Sequence, residues 1–378
     1  MNILHVNMSL DSVTGGGTVE RVCQLHTSMT GMDGIDSCIL SLAVSASPAL
    51  AESEDVVLLP CWSKRWYLPA PKLLMMYRMV RQADVIHLMN HWTLVNAIVY
   101  WMARISGTPY VICPAGALSL FGRSQGFKRW YNRLVGHALV KGAVAAIAIA
   151  EDETGVLKQY GVSADQIQHI PNGVRLDDFA CSDEQLFRQH VGIGDADYLL
   201  FVGRLNEIKG PDLLLAAFIK ISAAFPELHL VFIGPDGGML ENLMSEAARA
   251  ELSHRIHFAG YAGGALKSSA YHGASLLVVP SRQEAMSIVA LEGAVCGTAV
   301  VLSDACGFDV LAEAGAARLT QASFAALSTV IGELMSDAAL RQEMGSRGKQ
   351  LAANSYTWDI AARRHVKLFS QCVDDCKS

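Results

Sequence analysis

The sequence predicts an α/β protein made of two doubly wound domains. The chain has 378 residues, which is more than one core usually covers, so two domains of similar size are expected. Short apolar runs alternate with helix-length amphipathic segments along the whole chain, as in parallel sheets covered by helices. The 32 glycines suit many tight strand-to-helix turns.

The first domain is predicted to span residues 1–175. Its first strand is Ile3–Asn7, followed by a loop and a helix that begins near Thr18. Further strand-like runs separated mostly by helical segments are Val56–Leu59, Val85–Leu88, Tyr110–Cys113, Ala145–Ile149 and Gln168–Ile170.

The second domain is predicted to span residues 176–356 and repeats this alternation. Its strands are Tyr198–Val202, Leu228–Ile233, Arg255–Phe258, Leu276–Val279 and Ala299–Leu302. Its helices lie near Pro211–Ala224, Met239–Ala250, Leu266–His272 and Ile288–Cys296. The remaining residues, 357–378, are predicted to form one more helix.

Composition excludes several classes of protein. The chain is 51% hydrophobic and 17% charged, which argues against disorder, and its net charge of −6 argues against a nucleic-acid binder. The nine cysteines are scattered and odd in number, which favours thiols in a reducing cytoplasm over a disulfide framework. No secretory signal is evident, and the near-apolar stretch Ala138–Ala150 is too short to span a bilayer.

Positive charge is concentrated in one part of the first domain. Residues 61–141, called the basic segment below, hold 11 Lys and Arg against the single acid Asp84. Such a segment indicates a solvated face, an anionic ligand or an anionic membrane surface.

Ligands of open parallel sheets bind beyond the carboxyl ends of the strands, so residues that follow strands are the candidates for function. Gly15, Gly16 and Gly17 follow the first strand and open a helix, where backbone N–H groups can meet a phosphate. A plain flexible turn is an equal alternative. The pattern is not GxGxxG, so an NAD site is not favoured.

Two cations follow the first strand of the second domain. Gly203 and Arg204 come directly after the strand, and Lys209 and Gly210 lie five residues further on. Arg204 can bind a diphosphate with its guanidinium fork, and Lys209 can bind it as a point charge. A solvated loop with incidental charges is the alternative.

Two glutamates follow the fourth strand of that domain. Glu284 falls in a loop, and Glu292 falls on the next helix. Carboxylates accept hydrogen bonds from sugar diols, and the backbone at Met286, Ser287 and Ile288 opens the helix. The spacing by itself does not exclude coincidence.

Two further patterns are interpreted as structural. Residues 234–238, Gly-Pro-Asp-Gly-Gly, form another strand-to-helix turn. The pair Asp195 and Asp197 precedes a strand, the wrong end for a ligand, and is interpreted as a polar turn rather than a metal site.

Taken together, these motifs resemble glycosyltransferase family 4, retaining enzymes with the GT-B fold. The resemblance covers essentially the whole chain. The motifs that carry it, in family order and spacing, are the Gly16-Gly17 turn, Pro171-Asn172-Gly173-Val174, Gly203-Arg204 with Lys209-Gly210, and Glu284-x7-Glu292 followed by Cys296-Gly297-Thr298.

The resemblance implies two Rossmann-like domains that face each other across a cleft, with the Trp358 region as a terminal helix crossing back to the first domain. Arg204 and Lys209 would bind the donor diphosphate and stabilise the leaving group. Glu284, with the backbone of Met286, Ser287 and Ile288, would bind the transferred sugar, and Glu292 would bind the ribose. Gly16 would let the first domain touch the donor phosphates on closure, and Gly17 and Gly203 are further substrate-binding candidates. A nucleotide sugar is then the co-substrate, with no cofactor or metal expected.

The sequence departs from the family in two places. Ala285-Met286-Ser287 stands where many members have Gly-Phe-Gly, and Ala115 stands where many have His or Arg near the acceptor. Ala115 cannot transfer a proton, so His91, which follows a strand, is a candidate replacement. A helix-capping or partly buried histidine is the alternative for His91.

The resulting hypothesis is a cytoplasmic, metal-independent, retaining glycosyltransferase that uses a UDP- or GDP-linked sugar and a glycan or lipid-linked acceptor. Front-face displacement is preferred because no well-placed carboxylate nucleophile is evident. Three alternatives stay open: a nucleotide-sugar epimerase, a glycogen-type or sucrose-type synthase, and a non-catalytic nucleotide-sugar binding protein.

Aromatic residues are mixed into the basic segment. They are Trp62, Trp66, Tyr67, Tyr77, Phe121, Phe127, Trp130 and Tyr131. Basic and aromatic side chains together favour an anionic membrane interface. We therefore expect peripheral attachment to the inner leaflet that involves Lys128, Arg129 and Arg133. Packing of the aromatics in the core and binding of an anionic soluble acceptor remain alternatives.

Overall fold

The computed structural model describes residues 1–11, 17–44, 53–63, 67–70, 72–118 and 125–377. The chain divides into two compact units. The first comprises Met1–Asn172 together with Trp358–Ser378, and the second comprises Gly173–Thr357. Each unit contains one largely parallel sheet with helices between its strands, so the predicted fold of two doubly wound α/β domains is confirmed.

In the first unit, the described strands form an eight-stranded sheet in the order β4-β3-β2-β1-β5-β6-β7-β8. Only the β3–β4 pair is antiparallel among them. The strands are β1 (Asn2–Ser9), β2 (Asp36–Ala43), β3 (Val56–Ser63), β4 (Leu68–Pro69), β5 (Val85–Met89), β6 (Tyr110–Cys113), β7 (Ala145–Ala148) and β8 (Ile167–His169).

The helices of the first unit cross between these strands. They are α1 (Gly17–Thr30), α2 (Leu73–Gln82), α3 (Leu94–Ser106), α4 (Gln125–Tyr131), α5 (His137–Lys141) and α6 (Glu153–Gln159), with a π-helical turn at Asn132–Gly136. Local sequence determines both ends of α3. Thr93 caps α3 by accepting a hydrogen bond from the Asn96 N–H, and Gly107 ends α3 in the left-handed conformation.

In the second unit, the described strands form a six-stranded parallel sheet in the order β11-β10-β9-β12-β13-β14. The strands are β9 (Tyr198–Val202), β10 (His229–Ile233), β11 (Ile256–Gly260), β12 (Leu276–Val279), β13 (Val300–Ser303) and β14 (Ala317–Thr320). Central positions such as Leu200, Leu277 and Val301 are fully buried, as expected for strands covered on both faces. Asp195 and Asp197 lie in the turn before β9, as predicted.

The helices of the second unit connect its strands, and several of them contact the sheet. They are α7 (Glu184–Val191), α8 (Pro211–Ile221), α9 (Leu240–Arg249), α10 (Gly264–Gly273), α11 (Ile288–Cys296), α12 (Val310–Glu313), α13 (Phe324–Met335) and α14 (Ala338–Ser355). The last helix of the chain, α15 (Trp358–Lys377), belongs to the first unit and packs against α1.

The terminal helix is joined to the first unit by a buried polar cluster. The Arg21 guanidinium on α1 donates to the Asn172 side chain at 2.6 Å and to the Ile170 carbonyl at 3.0 Å. Its Nη2 also lies 3.2 Å from Nε2 of His365 on α15. Because these groups are buried, separating α15 from the unit would leave buried polar groups without partners.

Both sheets have a switch point where the strand order reverses. It lies between β1 and β5 in the first unit and between β9 and β12 in the second. Ligands of open α/β sheets bind at such points, beyond the carboxyl ends of the strands. The segments that follow β1, β5, β9 and β12 are therefore the candidate ligand-binding segments.

Candidate functional site

The loop after β9 is shaped by close contact with the loop after β10. The Gly203 N–H donates to the Ile233 carbonyl at 2.9 Å. Gly234 has φ +142°, and a Cβ there would lie 2.0 Å from the Gly203 carbonyl oxygen. A Cβ on Gly237 would lie 2.9 Å from Cγ of Arg204. Gly234 and Gly237 are thus required by their close approach to the loop that carries Arg204.

Asp236 holds the same turn from the other side. Its Oδ1 accepts hydrogen bonds from the N–H groups of Gly238, Met239 and Leu240, at 2.8, 3.0 and 3.1 Å, where α9 begins. Backbone hydrogen bonds, led by that of Leu240, lower the pKa of its carboxyl. This supports the interpretation of residues 234–238 as a structural turn.

The structure brings Lys209 and Glu284 together. Nζ of Lys209 lies 2.5 Å from Oε1 of Glu284, and the Ser281 hydroxyl donates to the same oxygen at 2.6 Å. The Glu284 side chain is only 9% exposed, whereas that of Lys209 is 32% exposed. Arg204, at the start of the same loop, is exposed. A cation and a carboxylate predicted from separate motifs therefore meet at the switch point between β9 and β12.

Further contacts fix the β9 loop to the β12 loop. The Arg282 N–H donates to the Ile208 carbonyl at 2.7 Å, and its guanidinium donates to both oxygens of Asp212, at 2.8 and 2.5 Å. Gly210 has φ +68°, and a Cβ there would lie 2.2 Å from the Pro280 carbonyl oxygen. The bidentate Arg282–Asp212 pair and the close contact at Gly210 give the two loops a defined geometry.

The loop after β13 supports the other side of Glu284. The Glu284 N–H donates to the Ala305 carbonyl at 2.8 Å. A Cβ on Gly307 would lie 2.0 Å from the Ala285 carbonyl oxygen. The Glu284 loop is thus held between the loops of the two neighbouring strands.

Met286, Ser287 and Ile288 lie at the N-terminus of α11. The Ser287 hydroxyl accepts a hydrogen bond from the Ala290 N–H at 3.3 Å and caps the helix, and Met286 is buried. The first N–H groups of a helix point out along its axis and favour negative charge. The departure from Gly-Phe-Gly thus gives this chain a side-chain cap and a buried thioether at this position.

Glu292 lies on α11 with both of its oxygens engaged. Its Oε1 is 2.7 Å from Nζ of Lys267, and its Oε2 accepts from the Tyr271 hydroxyl at 2.6 Å. Burial, and next the charge of Glu292, raise the pKa of Tyr271 well above its usual value. Both partners come from α10, and the sequence reasoning missed them because nothing along the chain indicates that α10 and α11 are neighbours.

The first unit contains the residues assigned to the acceptor side. Gly16 lies outside the described residues, and Gly17 is the exposed first residue of α1. His91 follows β5 but its ring is fully buried, with Nε2 2.8 Å from Oδ1 of Asn132. Burial lowers its pKa to about 4. The ring is thus a buried histidine in this structure, and its role towards an acceptor stays a prediction.

Two non-glycine residues adopt the left-handed conformation where strands of the first unit end. Asn90, after β5, has φ +65°, and Ala115, after β6, has φ +49°. The Gly116 N–H donates to Oε1 of Glu153, whose other oxygen accepts from the Ile149 N–H at 2.7 Å. Glu153 is buried, and burial raises its pKa. Sequence reasoning missed Glu153 because it lies in no recognised motif.

Within the described ranges, no group of three or more His, Cys, Asp or Glu side chains is arranged to hold a metal ion. Of the helices that the structure describes, none combines the length and apolar character needed to span a bilayer.

Two family models, one for each half, together match most of the chain. The model described as glycosyltransferase family 4 matches residues 15–178, and the model described as glycosyl transferases group 1 matches residues 182–351. The chain belongs to glycosyltransferase family 4. The resemblance seen in the sequence motifs is thereby confirmed.

Similar proteins agree with this family. The chain is 33% identical over 236 residues to a D-inositol 3-phosphate glycosyltransferase of Frankia alni, a match that covers 58% of this chain and 56% of the relative. The chain thus matches little more than half the length of that curated relative.

Solved structures show the fold of this family 4 chain. HepE of Anabaena in complex with UDP superposes with a TM-score of 0.82 at 20% identity, covering 98% of this chain and 100% of that one. WaaG, a glycosyltransferase involved in lipopolysaccharide biosynthesis, superposes with a TM-score of 0.68 at 17% identity, covering 96% and 98%. The GT-B fold expected from the motifs is confirmed.

Proposed function

We propose that this chain is a retaining glycosyltransferase that moves a sugar from a UDP- or GDP-linked donor to a hydroxyl of a glycan or lipid-linked acceptor. The observation that carries the proposal is the meeting of Lys209 and Glu284, with Arg204 in the same loop, at the switch point between β9 and β12. A nucleotide sugar needs a cation for its diphosphate and, beside it, a hydrogen-bond acceptor for its sugar hydroxyls. Lys209 and Glu284 supply both.

In this mechanism, Arg204 and Lys209 bind the diphosphate and stabilise the negative charge that grows as the sugar–phosphate bond breaks. Stabilisation of this kind raises the rate when it is stronger in the transition state than in the ground state. Glu284 accepts hydrogen bonds from hydroxyls of the transferred sugar. The N-terminus of α11, at Met286, Ser287 and Ile288, adds a positive partial charge nearby.

Retention of configuration follows from front-face displacement in this proposal. The acceptor oxygen bonds to the anomeric carbon on the face from which the phosphate oxygen departs, and the acceptor proton passes to that phosphate oxygen. The contacts of Glu284 favour this route over a glycosyl-enzyme intermediate. Its Oε1 is already held by Lys209 and Ser281, which suits an orienting carboxylate better than an attacking one.

Metal independence is part of the proposal. Arg204, Lys209 and the helix terminus supply the positive charge that a metal ion provides to the leaving group in other enzymes. Activity that survives EDTA supports this view. Activity that disappears in EDTA and returns with magnesium or manganese contradicts it.

The proposed acceptor and pathway lie in surface polysaccharide or lipopolysaccharide synthesis at the cytoplasmic face of the membrane. The relatives named above support this class of chemistry, since one is described as acting in lipopolysaccharide biosynthesis and another was solved with UDP. UDP is accordingly the first nucleotide to examine, with GDP as the second.

Surface features of the basic segment support peripheral attachment. Trp130 on α4 is 58% exposed, and it is flanked by the exposed residues Arg129, Arg133 and Leu134. Nζ of Lys128 lies 5.4 Å from the ring centroid of Trp92. Tyr131, in contrast, is buried and donates to the Thr93 carbonyl, so this aromatic belongs to the core and not to the proposed membrane face.

A donor panel followed by mass spectrometry tests the proposed function. Transfer or slow hydrolysis of one nucleotide sugar, with release of the nucleoside diphosphate, supports it. An isomerised free nucleotide sugar indicates an epimerase instead. Efficient transfer to soluble glucan or hexose indicates a glycogen-type or sucrose-type synthase. Binding without turnover, under any acceptor mixture, indicates a non-catalytic binding protein.

A further inference from the structure

We propose that Lys267 and Tyr271 on α10 are positioning residues for the Glu292 carboxylate, and that these three residues together select nucleotides by the diol of their ribose. The inference deepens the proposed function and rests on it, because the nucleotide donor comes from there.

The geometry of the three residues carries the proposal. Lys267 and Tyr271 are four positions apart on one helix, so both face the same neighbour. Nζ of Lys267 is 2.7 Å from Oε1 of Glu292, and the Tyr271 hydroxyl is 2.6 Å from Oε2. Each carboxylate oxygen has one partner and can accept a second hydrogen bond. Both oxygens therefore keep one acceptor position for a further donor.

Burial makes these partners necessary. The Glu292 side chain is 12% exposed, and Tyr271 is fully buried. A buried carboxylate without a cation and hydrogen-bond donors is costly. Nζ of Lys267 also lies 5.7 Å from the ring centroid of Phe179, which favours the cation at this position. Removing Lys267 would leave the carboxylate free to change rotamer and to take up water.

The fixed carboxylate matches a particular ligand group. A glutamate side chain has three rotatable bonds, and holding both oxygens sets the plane of the carboxylate. The 2′ and 3′ hydroxyls of a ribose are two adjacent donors, which fit two acceptor positions held in one plane. A nucleotide that lacks these hydroxyls has nothing to donate there, so it should not sense whether the carboxylate is held.

Calorimetry with two probes tests the proposal: UDP (or GDP, if wild type prefers it) and the 2′,3′-dideoxy form of the same nucleotide. In Lys267→Met, affinity for the ribose form should fall about tenfold, the loss expected for a charge-assisted contact that is no longer aligned. Affinity for the dideoxy form should stay unchanged. Tyr271→Phe should act in the same direction, and Lys267→Arg should restore most of the loss.

Lys220→Met is the matched control, since Lys220 is an exposed lysine on α8 and should change neither affinity. Equal loss for the ribose and dideoxy forms in Lys267→Met, or no loss for either, overturns the inference while leaving the proposed function intact. If wild type binds neither UDP nor GDP, the proposed function fails and this inference fails with it.

Discussion

At the scale of single residues, the two glutamates of the Glu284-x7-Glu292 motif have different surroundings. Glu284 lies in a loop, where its Oε1 contacts both Lys209 and the Ser281 hydroxyl. Glu292 lies on a helix, where Lys267 and Tyr271 contact its two oxygens. Because Glu284 lies beside the proposed diphosphate cation, we propose that it contacts the reacting sugar. Glu292 is proposed to contact a group that is bound but does not react.

These surroundings predict different effects of removing each charge. Glu284→Gln should mainly lower turnover, because a contact with the reacting sugar is lost. Glu292→Gln should mainly weaken binding of the bare nucleoside diphosphate. Steady-state kinetics together with calorimetry separate the two effects. Equal loss of nucleotide affinity in both variants would contradict this division of roles.

Sequence reasoning reached the motif residues but not their contacts. The types and spacing of Arg204, Lys209, Glu284 and Glu292 were visible along the chain, since the first three follow strands and Glu292 lies on the helix behind Glu284. Burial of the His91 ring was not visible, because it depends on Asn132, which lies 41 residues away in sequence. Partners of this kind are determined by tertiary packing and not by local pattern.

At the scale of elements, the loops that follow β9, β10 and β12 are held together by contacts with one another. Glycines allow the closest approaches, and the Arg282–Asp212 pair joins the β12 loop to the first turn of α8, which follows the β9 loop. The position of Arg204 thus depends on backbone contacts as much as on its own side chain.

A glycine substitution in the β10 loop tests this dependence. In Gly234→Ala, the new Cβ would lie 2.0 Å from the Gly203 carbonyl oxygen, so the two loops must separate. We expect the free energy of unfolding to fall by about 1–3 kcal/mol and nucleotide affinity to fall as well. Urea denaturation and calorimetry measure the two quantities.

Gly238→Ala is the matched control for this variant. Gly238 also has positive φ, at +100°, but a Cβ on this residue would meet no heavy atom within 4 Å. It should therefore show only the cost of backbone strain, with nucleotide affinity close to wild type. If both variants lose affinity equally, close contact between the loops is not what holds Arg204.

The strands show where the pattern along the chain was insufficient. Most were predicted from apolar runs, but β2, the two-residue β4 and β14 were missed. In β2, Ser37 and Ser41 interrupt the apolar pattern although both are buried, and the Ser37 hydroxyl is matched by His26 on α1 at 2.8 Å. The edge strand β14 has only four residues, and its central Arg318 and Leu319 are exposed, so it carries little hydrophobic signal.

At the scale of the whole molecule, the first unit has a buried histidine cluster that joins its sheet to the terminal helix. Nδ1 of His5 lies 3.0 Å from Nδ1 of His87, and the ring centroid of His365 on α15 lies 5.4 Å from that of His87. Arg21 is buried beside His365. Adding positive charge to such a cluster is unfavourable.

This cluster predicts that stability falls in mild acid. Burial lowers the pKa of His5 to about 3 and those of His87 and His365 well below 6.5. Below pH 6.5 the unfolded chain binds more protons, so the free energy of unfolding decreases as pH falls towards 3. Each histidine contributes a slope that approaches about 1.4 kcal/mol per pH unit once the pH is a unit or so below 6.5, while the folded-state ring is still neutral.

Urea unfolding of the full chain at pH 7.5, 6.5 and 5.5 measures this slope. His365→Gln should show a shallower slope than wild type, whatever its stability at pH 7.5. His254→Gln, which changes an exposed histidine, should keep the wild-type slope. Identical slopes in wild type and His365→Gln would mean that the buried cluster does not cause the acid sensitivity.

From the basic segment we predict that the protein binds an anionic membrane surface. The chain should sediment with vesicles that contain phosphatidylglycerol, because each basic residue near an anionic leaflet contributes about 1 kcal/mol. Binding should weaken as salt rises and in the Lys128, Arg129, Arg133 triple-alanine variant. Protein that stays in the supernatant at low salt would favour an anionic soluble acceptor.

The central claim is that the cations of the β9 loop stabilise the departing diphosphate. Turnover of Arg204→Ala on the donor found by the panel tests it most directly, with Arg249→Ala, an exposed arginine on α9, as the control. Loss of a contact that strengthens in the transition state should raise the barrier by about 2–4 kcal/mol, while the control keeps wild-type turnover. Near-wild-type turnover of Arg204→Ala would contradict the assignment of the β9 loop as the diphosphate site.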